Sequence, residues 1–478
     1  MNRSVFKSSE RMVVVVMGSA LACMLLSILM GGFGALFYVP AIGRAMSRAG
    51  LSLVQLRPLH TTFASAWLYL GCVACIYSYL FREFGEPDVG DRRRFRVHMV
   101  CWGIAGLGSL VSLLCGVGSG REYLGFHPIF AIFMVVGWGC FLWTLLRRVR
   151  HGFWARPVYV YMWTTGAVFF LYTFVEGHLH YLPWVGSRPI ADLQIQWKSC
   201  GTLVASFNQM VYGVMIYVGE RLSGDKRVAQ SRQAFALFGL GLLNSFTNYA
   251  HHTYHLPQSH IIKWVAFVVS MLEILIVWNM LRELVKKLRG PRPKGPSYSM
   301  ARQFLGLAKS WNLFLLPVAL LISVPPLNSL IHGTHVVMAH AMGSELAIDS
   351  YILLGAFGFL FMQVFPKREC VEAVIDGPDM RRRILWLNLA LVGLVVWLLT
   401  GGLTVGVCRL LGLPRPQWMV GFAPGFAILG FGVGYSLVRL VLGWVPLFCD
   451  PCRHKLFRHD PRWETVVEGV SEEPRSSV

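Results

Sequence analysis

Charge is scarce in this chain. Of its 478 residues, 14% are Asp, Glu, Lys or Arg, against about 25% in an average soluble domain. That scarcity argues against a soluble enzyme. No polar stretch is long enough to form a second domain, and apolar runs of twenty or more residues recur from end to end. No small-residue cleavage site follows the first run, and the run is too long for the core of a secretory signal. It reads as a permanent anchor. Sixteen Trp and 31 Phe suit a body embedded in lipid.

A spanning helix takes about 20 apolar residues. Twelve runs qualify: 12–38, 58–81, 97–117, 126–146, 157–181, 199–219, 233–254, 262–282, 303–324, 333–365, 384–408 and 419–446. The expected fold is therefore an all-α integral membrane protein with twelve transmembrane helices. Residues 1–450 form one membrane domain, and 451–478 form a polar tail. With the N-terminus inside, the inside segments hold 33 of the 44 Lys and Arg and the outside loops hold nine. This is the pattern of a multi-pass protein with cytoplasmic N- and C-termini. The net charge of +20 is then topology, and nucleic acid is not required as a partner.

The eleven cysteines mostly fall inside apolar runs, where they serve as small packing residues. The one close pair, Cys449 and Cys452, is followed by Arg453 and not by His, which excludes a c-type heme attachment. Metal or redox use of the pair stays open.

Histidine inside lipid is rare and usually functional. His60 lies near the outer end of the second run, His251 and His252 near the outer end of the seventh, and His340 about seven residues into the tenth. All four share one depth, the outer third of the membrane. Neighbouring helical residues diverge by about 100°, so His251 and His252 reach one ion only if it sits against their helix. His340 and Met342 lie about 200° apart, so one helix can hold a metal on each side. Imidazole and thioether are both heme-iron ligands. The set suggests two hemes flanking the tenth helix, with a further metal beside one of them.

These residues resemble the heme–copper oxidase superfamily, most closely the catalytic subunit of bacterial nitric oxide reductases. The tenth run reads Pro326-Leu-Asn328, then His332-Gly-Thr-His-Val-Val-Met-Ala-His340-Ala-Met342. It is similar to the reductases' His-Gly-Thr-x-Val-x-x-Ala-His-x-His segment. His251-His252 with Glu273 downstream resembles their double His and the following Glu. Leu59-His60-Thr61 resembles the helix that binds their low-spin heme.

The resemblance implies a bundle like that of the heme–copper oxidases and a role for each matching residue. His60 would be one axial ligand of a low-spin heme b, and His340 the proximal ligand of a high-spin heme b. His251 and His252 would bind a non-heme metal, iron or copper. Glu273 would handle protons near it. Two positions depart from the pattern. Met342 replaces the second low-spin His, and a Met ligand usually raises a heme's potential. Asn208 and Tyr212, aligned on Gly213, replace the His and Glu of the reductases' sixth helix. Asn208 is then the candidate third ligand of the non-heme metal, and Tyr212 a candidate catalytic phenol. Arg409 and Arg415, in the last outside loop, are candidate partners of heme propionates.

The implied activity is reduction of nitric oxide to nitrous oxide in a bacterial cytoplasmic membrane. Electrons would come from a donor subunit or from a soluble cytochrome or cupredoxin on the outer side. Three alternatives stay open. One is an oxygen reductase of the cytochrome-cbb type, although the tyrosine that those enzymes carry six residues before their His pair is Ser245 here. The others are a nitric oxide dismutase and a non-enzymatic heme electron-transfer protein. Two smaller points complete the reading. The inner half of the spans offers few ionisable residues beyond Glu220, Lys309 and Arg439, which predicts proton uptake from outside. Glu176, His178 and His180 close the fifth run, either as a surface metal site or as an ordinary interfacial cluster.

Overall fold

The computed structural model describes residues 7–121, 123–247, 253–254, 259–288, 298–365 and 368–448. The expected polar tail and the Cys449/Cys452 pair lie outside them. The regular structure among the described residues is helical throughout. Twelve principal helices follow the expected runs: α1 Ser8–Leu36, α2 Leu53–Phe84, α3 Val89–Leu114, α4 Ile129–Val149, α5 Val158–Gly177, α6 Pro189–Ser223, α7 Arg232–Thr247, α8 His260–Leu288, α9 Ser299–Ser323, α10 His335–Val364, α11 Pro378–Leu411 and α12 Phe422–Leu442. Eleven of these regions are long and apolar enough to cross a membrane. The twelfth, α7, is described over 16 residues.

Local chemistry sets several helix ends. Asp88 caps α3 by accepting the Asp91 N–H at 2.7 Å, and the Asp91 carboxylate accepts the Asp88 N–H at 3.2 Å. α6 and α11 each begin with a proline in the first turn and end at a left-handed glycine, Gly224 or Gly412. α6 starts ten residues before the expected run. Its first turns carry Asp192 and Lys198, whose charges hydropathy does not count as span. They pair with Arg121 at 2.7 Å and with Glu176 at 2.6 Å respectively.

α1 packs along α2, α5 along α6, and α11 along α12. α10 is the most enclosed span. Its first turn and the short helix Pro325–Ile331 before it are pressed against α11 at two glycines one turn apart. A Cβ at Gly406 would lie 2.6 Å from the Leu330 carbonyl oxygen, and one at Gly402 would strike the backbone nitrogen of Val336. Glycines at this spacing let two membrane helices approach closely. At the face where α1 begins, the N-terminal face, Asp91 is fully buried. It accepts from Arg94 at 2.5 Å, from Arg147 at 3.4 Å and from Arg148. This clamp ties α3 to the end of α4.

Candidate functional site

His60 is held by α1. Its Nδ1 lies 2.8 Å from the Ser27 carbonyl oxygen and 3.1 Å from Ser27 Oγ, and that hydroxyl donates to the His60 carbonyl at 2.9 Å. A carbonyl only accepts, so the proton sits on Nδ1 and Nε2 is the bare nitrogen. This is how ligand imidazoles are oriented. The ring fits because residue 31 is glycine: a Cβ there would stand 2.7 Å from Nδ1.

Trp67, seven residues further along α2, shares the His60 face. Its Nε1 donates to Ser350 Oγ at 2.9 Å and so fastens α2 to α10. His60 lies seven residues before Trp67, about 10 Å at 1.5 Å per residue. Met342 lies eight residues before Ser350 on the helix running the same way. Counted from this bond along two helices that run the same way, His60 and Met342 lie at a similar level. Met342 packs half-buried against the apolar core.

His340 is half-buried, and its Nδ1 is buried without a hydrogen-bond partner. Asn208 Oδ1 on α6 is also buried without a partner. One turn on, Tyr212 packs half-buried against the apolar core. The Glu273 carboxylate accepts from Asn244 Nδ2 on α7, and Ser270 Oγ donates to Asn244 Oδ1 at 3.4 Å. Gln209 Nε2 closes this polar knot on the Phe238 carbonyl at 3.2 Å. His251 and His252 lie outside the described residues. Among the described residues no cluster of three His, Cys, Asp or Glu is placed to hold a metal, so a non-heme metal here depends on that His pair. Orphaned nitrogen and oxygen donors at His340 and Asn208, with an oriented imidazole at His60, suit heme iron and a divalent metal.

Sequence reasoning missed five polar residues. Gln209 and Asn244 are amides without a charge to mark them. Glu345 and Asp349 stand inside the tenth run, where a carboxyl in a 20-residue apolar stretch is itself a signal. His98 on α3 has both ring nitrogens buried without a partner, among Trp102, Trp138 and Phe141. The expectation of continuous α-helix through the tenth run also needs correction. Residues Met342–Asp349 form a π-helical segment, in which Ser350 N–H reaches back to the Glu345 carbonyl.

At the opposite, far face, Arg409 Nη1 donates to the His332 carbonyl at 3.0 Å, and the Arg415 charge reaches His335. Both arginines thus border the start of α10. Glu176 pairs with Lys198 at 2.6 Å. His178 and His180 turn their Nδ1 atoms to the carbonyls of Phe174 and Gly177, the arrangement of an interfacial cluster. A cavity of about 330 Å³ is lined by residues such as Leu26, Thr62, Tyr69, Trp102, Tyr123 and Phe170; none of the candidate ligands lines it.

Comparison with known proteins gives the arrangement its context. The bundle is similar to a cryo-EM structure of a heme-copper terminal oxidase dimer, with a TM-score of 0.65 and 13% identity over 92% of this chain and 83% of that one. At that identity the likeness concerns the fold. No curated protein sequence matches. The family model described as Cytochrome C and Quinol oxidase polypeptide I matches residues 11–433, which takes in ten of the twelve helices whole, all but the first turn of α1 and about half of α12. With that extent of match the chain belongs to the cytochrome c and quinol oxidase polypeptide I family, within the heme–copper oxidase superfamily.

Proposed function

We propose that this membrane oxidoreductase reduces nitric oxide: two NO, two electrons and two protons give nitrous oxide and water. The observation that carries the reading is the meeting of proton donors with a partnerless ligand oxygen. Tyr212 stands one helical turn from Asn208, whose Oδ1 is buried without a partner, and the Glu273 carboxyl lies with Gln209, the next residue on α6, against Gly241. His60 with Met342 and His340 would hold hemes, and His251, His252 and Asn208 would hold iron or copper; these groups would supply electrons and Lewis acidity when bound. The protein's own part is placement. Ser27 orients His60, Asn244 fixes the Glu273 carboxyl, and α6 sets Tyr212 beside the ligand oxygen, where its phenol delivers a proton to product oxygen. Arg409 and Arg415 neutralise propionates at the far face. Electrons arrive there from a donor subunit, a cytochrome or a cupredoxin, and the surrounding partner is membrane lipid in a bacterial cytoplasmic membrane.

A second reading, oxygen reduction, is favoured by the same Tyr212. Splitting O₂ to water takes four electrons and four protons, and a buried phenol can lend one of each. Purified protein given a chemical reductant decides between them. Nitrous oxide formed from NO without oxygen supports the first reading; oxygen consumption without nitrous oxide refutes it. Metal analysis adds a second test. Two irons per chain, both present as heme, with no copper, would remove the non-heme metal and favour an electron-transfer protein.

A further inference from the structure

Lys309 stands deep inside a spanning helix. α9 runs from Ser299 to Ser323, so Lys309 is ten residues from one end and fourteen from the other. Contacts with α10 fix its depth. Gly358 lies against Met300, Gly355 against Phe304 and Gly343 against Leu315. The two helices therefore run in opposite directions, and the same register sets Lys309 level with Asp349, midway along His335–Val364. Lysines near helix ends extend their side chains to the interface. From Lys309 the nearer end of α9 is about 15 Å away at 1.5 Å per residue, too far for a four-carbon stem.

Two other charged groups within spans find partners on the chain. The Glu273 carboxylate accepts from Asn244, and Arg439 donates to the Tyr435 hydroxyl at 3.1 Å. Lys309 differs. Among the described residues its ammonium makes no hydrogen bond and no ion pair, and the residue is only partly buried. A charge at the centre of a span costs about 2.5–3.5 kcal/mol on insertion scales. Such groups nearly always face the bundle interior and pair there. Lys309 does neither, because it borders the outward face of α9.

Its neighbours outline that face. Gly306 and Leu313 lie three and four residues away and share its side of the helix, and Leu320 returns to that side three turns on. Leu313 is 50% exposed and Leu320 44%. Ser310 is exposed as well, with its Oγ turned back onto the Gly306 carbonyl at 3.2 Å. A Cβ built at Gly306 meets nothing within 4 Å. The bundle side carries Ala308, Asn312, Leu315 and Ala319, all buried. Gly306 and Ser310, four residues apart, leave the backbone open to close approach by another helix.

Charge decides what covers this face. Lipid tails offer no acceptor at this depth, and headgroups lie at the interface. A two-fold contact between copies sets the same patch on both sides. Centred here, it would bring two Lys309 ammoniums together, and the exposed residues of α9 include no carboxyl. We propose that this face of α9 docks a transmembrane helix of a different subunit, which presents an Asp or Glu carboxylate to Lys309 near mid-membrane. Gly306 and Ser310 let the backbones approach, and Leu313 and Leu320 pack beside them. The ion pair offsets the cost of the lone charge and sets the depth and rotation of the incoming helix. The inference does not depend on which gas is reduced.

The test is photo-crosslinking in the membrane of the source organism, with benzoylphenylalanine in place of Leu313. Illumination should join the chain to one other protein. Mass spectrometry of the joined peptides should place the bond in a transmembrane helix, within one turn of an Asp or Glu. Lys309→Leu should cut this product at least tenfold at an unchanged level of protein in the membrane, and Lys309→Arg should keep it. If Lys309→Leu does not fold, charge exchange carries the test. Lys309→Glu combined with a lysine at the mapped carboxylate should restore the product that Lys309→Glu alone loses. Equal product from Lys309 and Lys309→Leu would overturn the proposal. So would a bond to a helix without a carboxylate, to lipid alone or to a second copy of this chain.

Discussion

Substituting Gly31 by alanine tests whether α1 orients His60. The new Cβ would stand 2.7 Å from His60 Nδ1, 3.0 Å from Cε1 and 3.4 Å from Cγ. The first distance is shorter than real contacts allow, so the ring must retreat. It cannot do so while keeping the 2.8 Å bond to the Ser27 carbonyl. Overpacking costs about 1–3 kcal/mol, and the lost hydrogen bond about 0.5–1.5 kcal/mol. Replacing a helical glycine returns at most about 1 kcal/mol. The net expectation is a loss of about 0.5–4.5 kcal/mol, obtained by combining these ranges. Gly18, on the same helix with nothing within 4 Å of a built Cβ, is the control. Gly18→Ala should be neutral or slightly stabilising.

Thermal unfolding in detergent reads the stability, and, on the ligation proposed above, the optical spectrum of a heme bound by His60 reads the ring. Gly31→Ala should lower Tm and disturb that spectrum, while Gly18→Ala should do neither. Equal Tm values with identical spectra would refute the idea that α1 positions the imidazole.

Asp91→Ala leaves three arginines around an empty buried site. It should cost about 3–5 kcal/mol, read by thermal unfolding; an unchanged Tm would show that water already carries those charges. Asp88 is held below the usual carboxylate value, at about 2, by the Asp91 N–H and by Arg147. Its contribution is therefore complete above its ordinary value of 3.8 and is lost as pH falls toward 2, so Asp88→Asn should flatten the acid limb of a stability–pH curve. On the ligation proposed above, Met342→His should convert a low-spin heme to bis-histidine ligation and lower its potential. Bis-histidine near-infrared and magnetic circular dichroism spectra in the wild type would show that another residue is the ligand.

The spans were legible because a bilayer demands long apolar runs and leaves few alternatives. Their boundaries were less so. Asp192 and Lys198 disguise the first turns of α6, since paired charges look like loop until their partners Arg121 and Glu176 are known. The Glu345–Asp349 segment was not legible, because hydropathy averages two carboxyls away among their apolar neighbours. A π turn depends on where Ser350 places its hydroxyl, which no periodicity records. The hydrogen bond from Tyr123 to Glu345 was hidden for another reason. It spans 222 residues and a left-handed backbone conformation at Tyr123, and neither leaves a local signature.

Asn208 offers the sharpest test of how this chain departs from the enzymes that its tenth helix resembles. An amide oxygen binds a divalent metal more weakly than imidazole does. Here Oδ1 is buried without a partner, so it has been desolvated with nothing on the protein in return, unless a metal or a metal-bound water meets it. Asn208→His would place an imidazole on the same face as Tyr212, one turn away. With His251 and His252 it would complete three nitrogen ligands. Changes in the outer shell of a metal site alter affinity about 10–100-fold, and a first ligand should exceed that. The variant should therefore retain its non-heme metal in a chelator for at least ten times as long as wild type, at equal heme content. Equal loss from both proteins would place Asn208 outside the coordination sphere and make Tyr212 the residue nearest the reaction on α6.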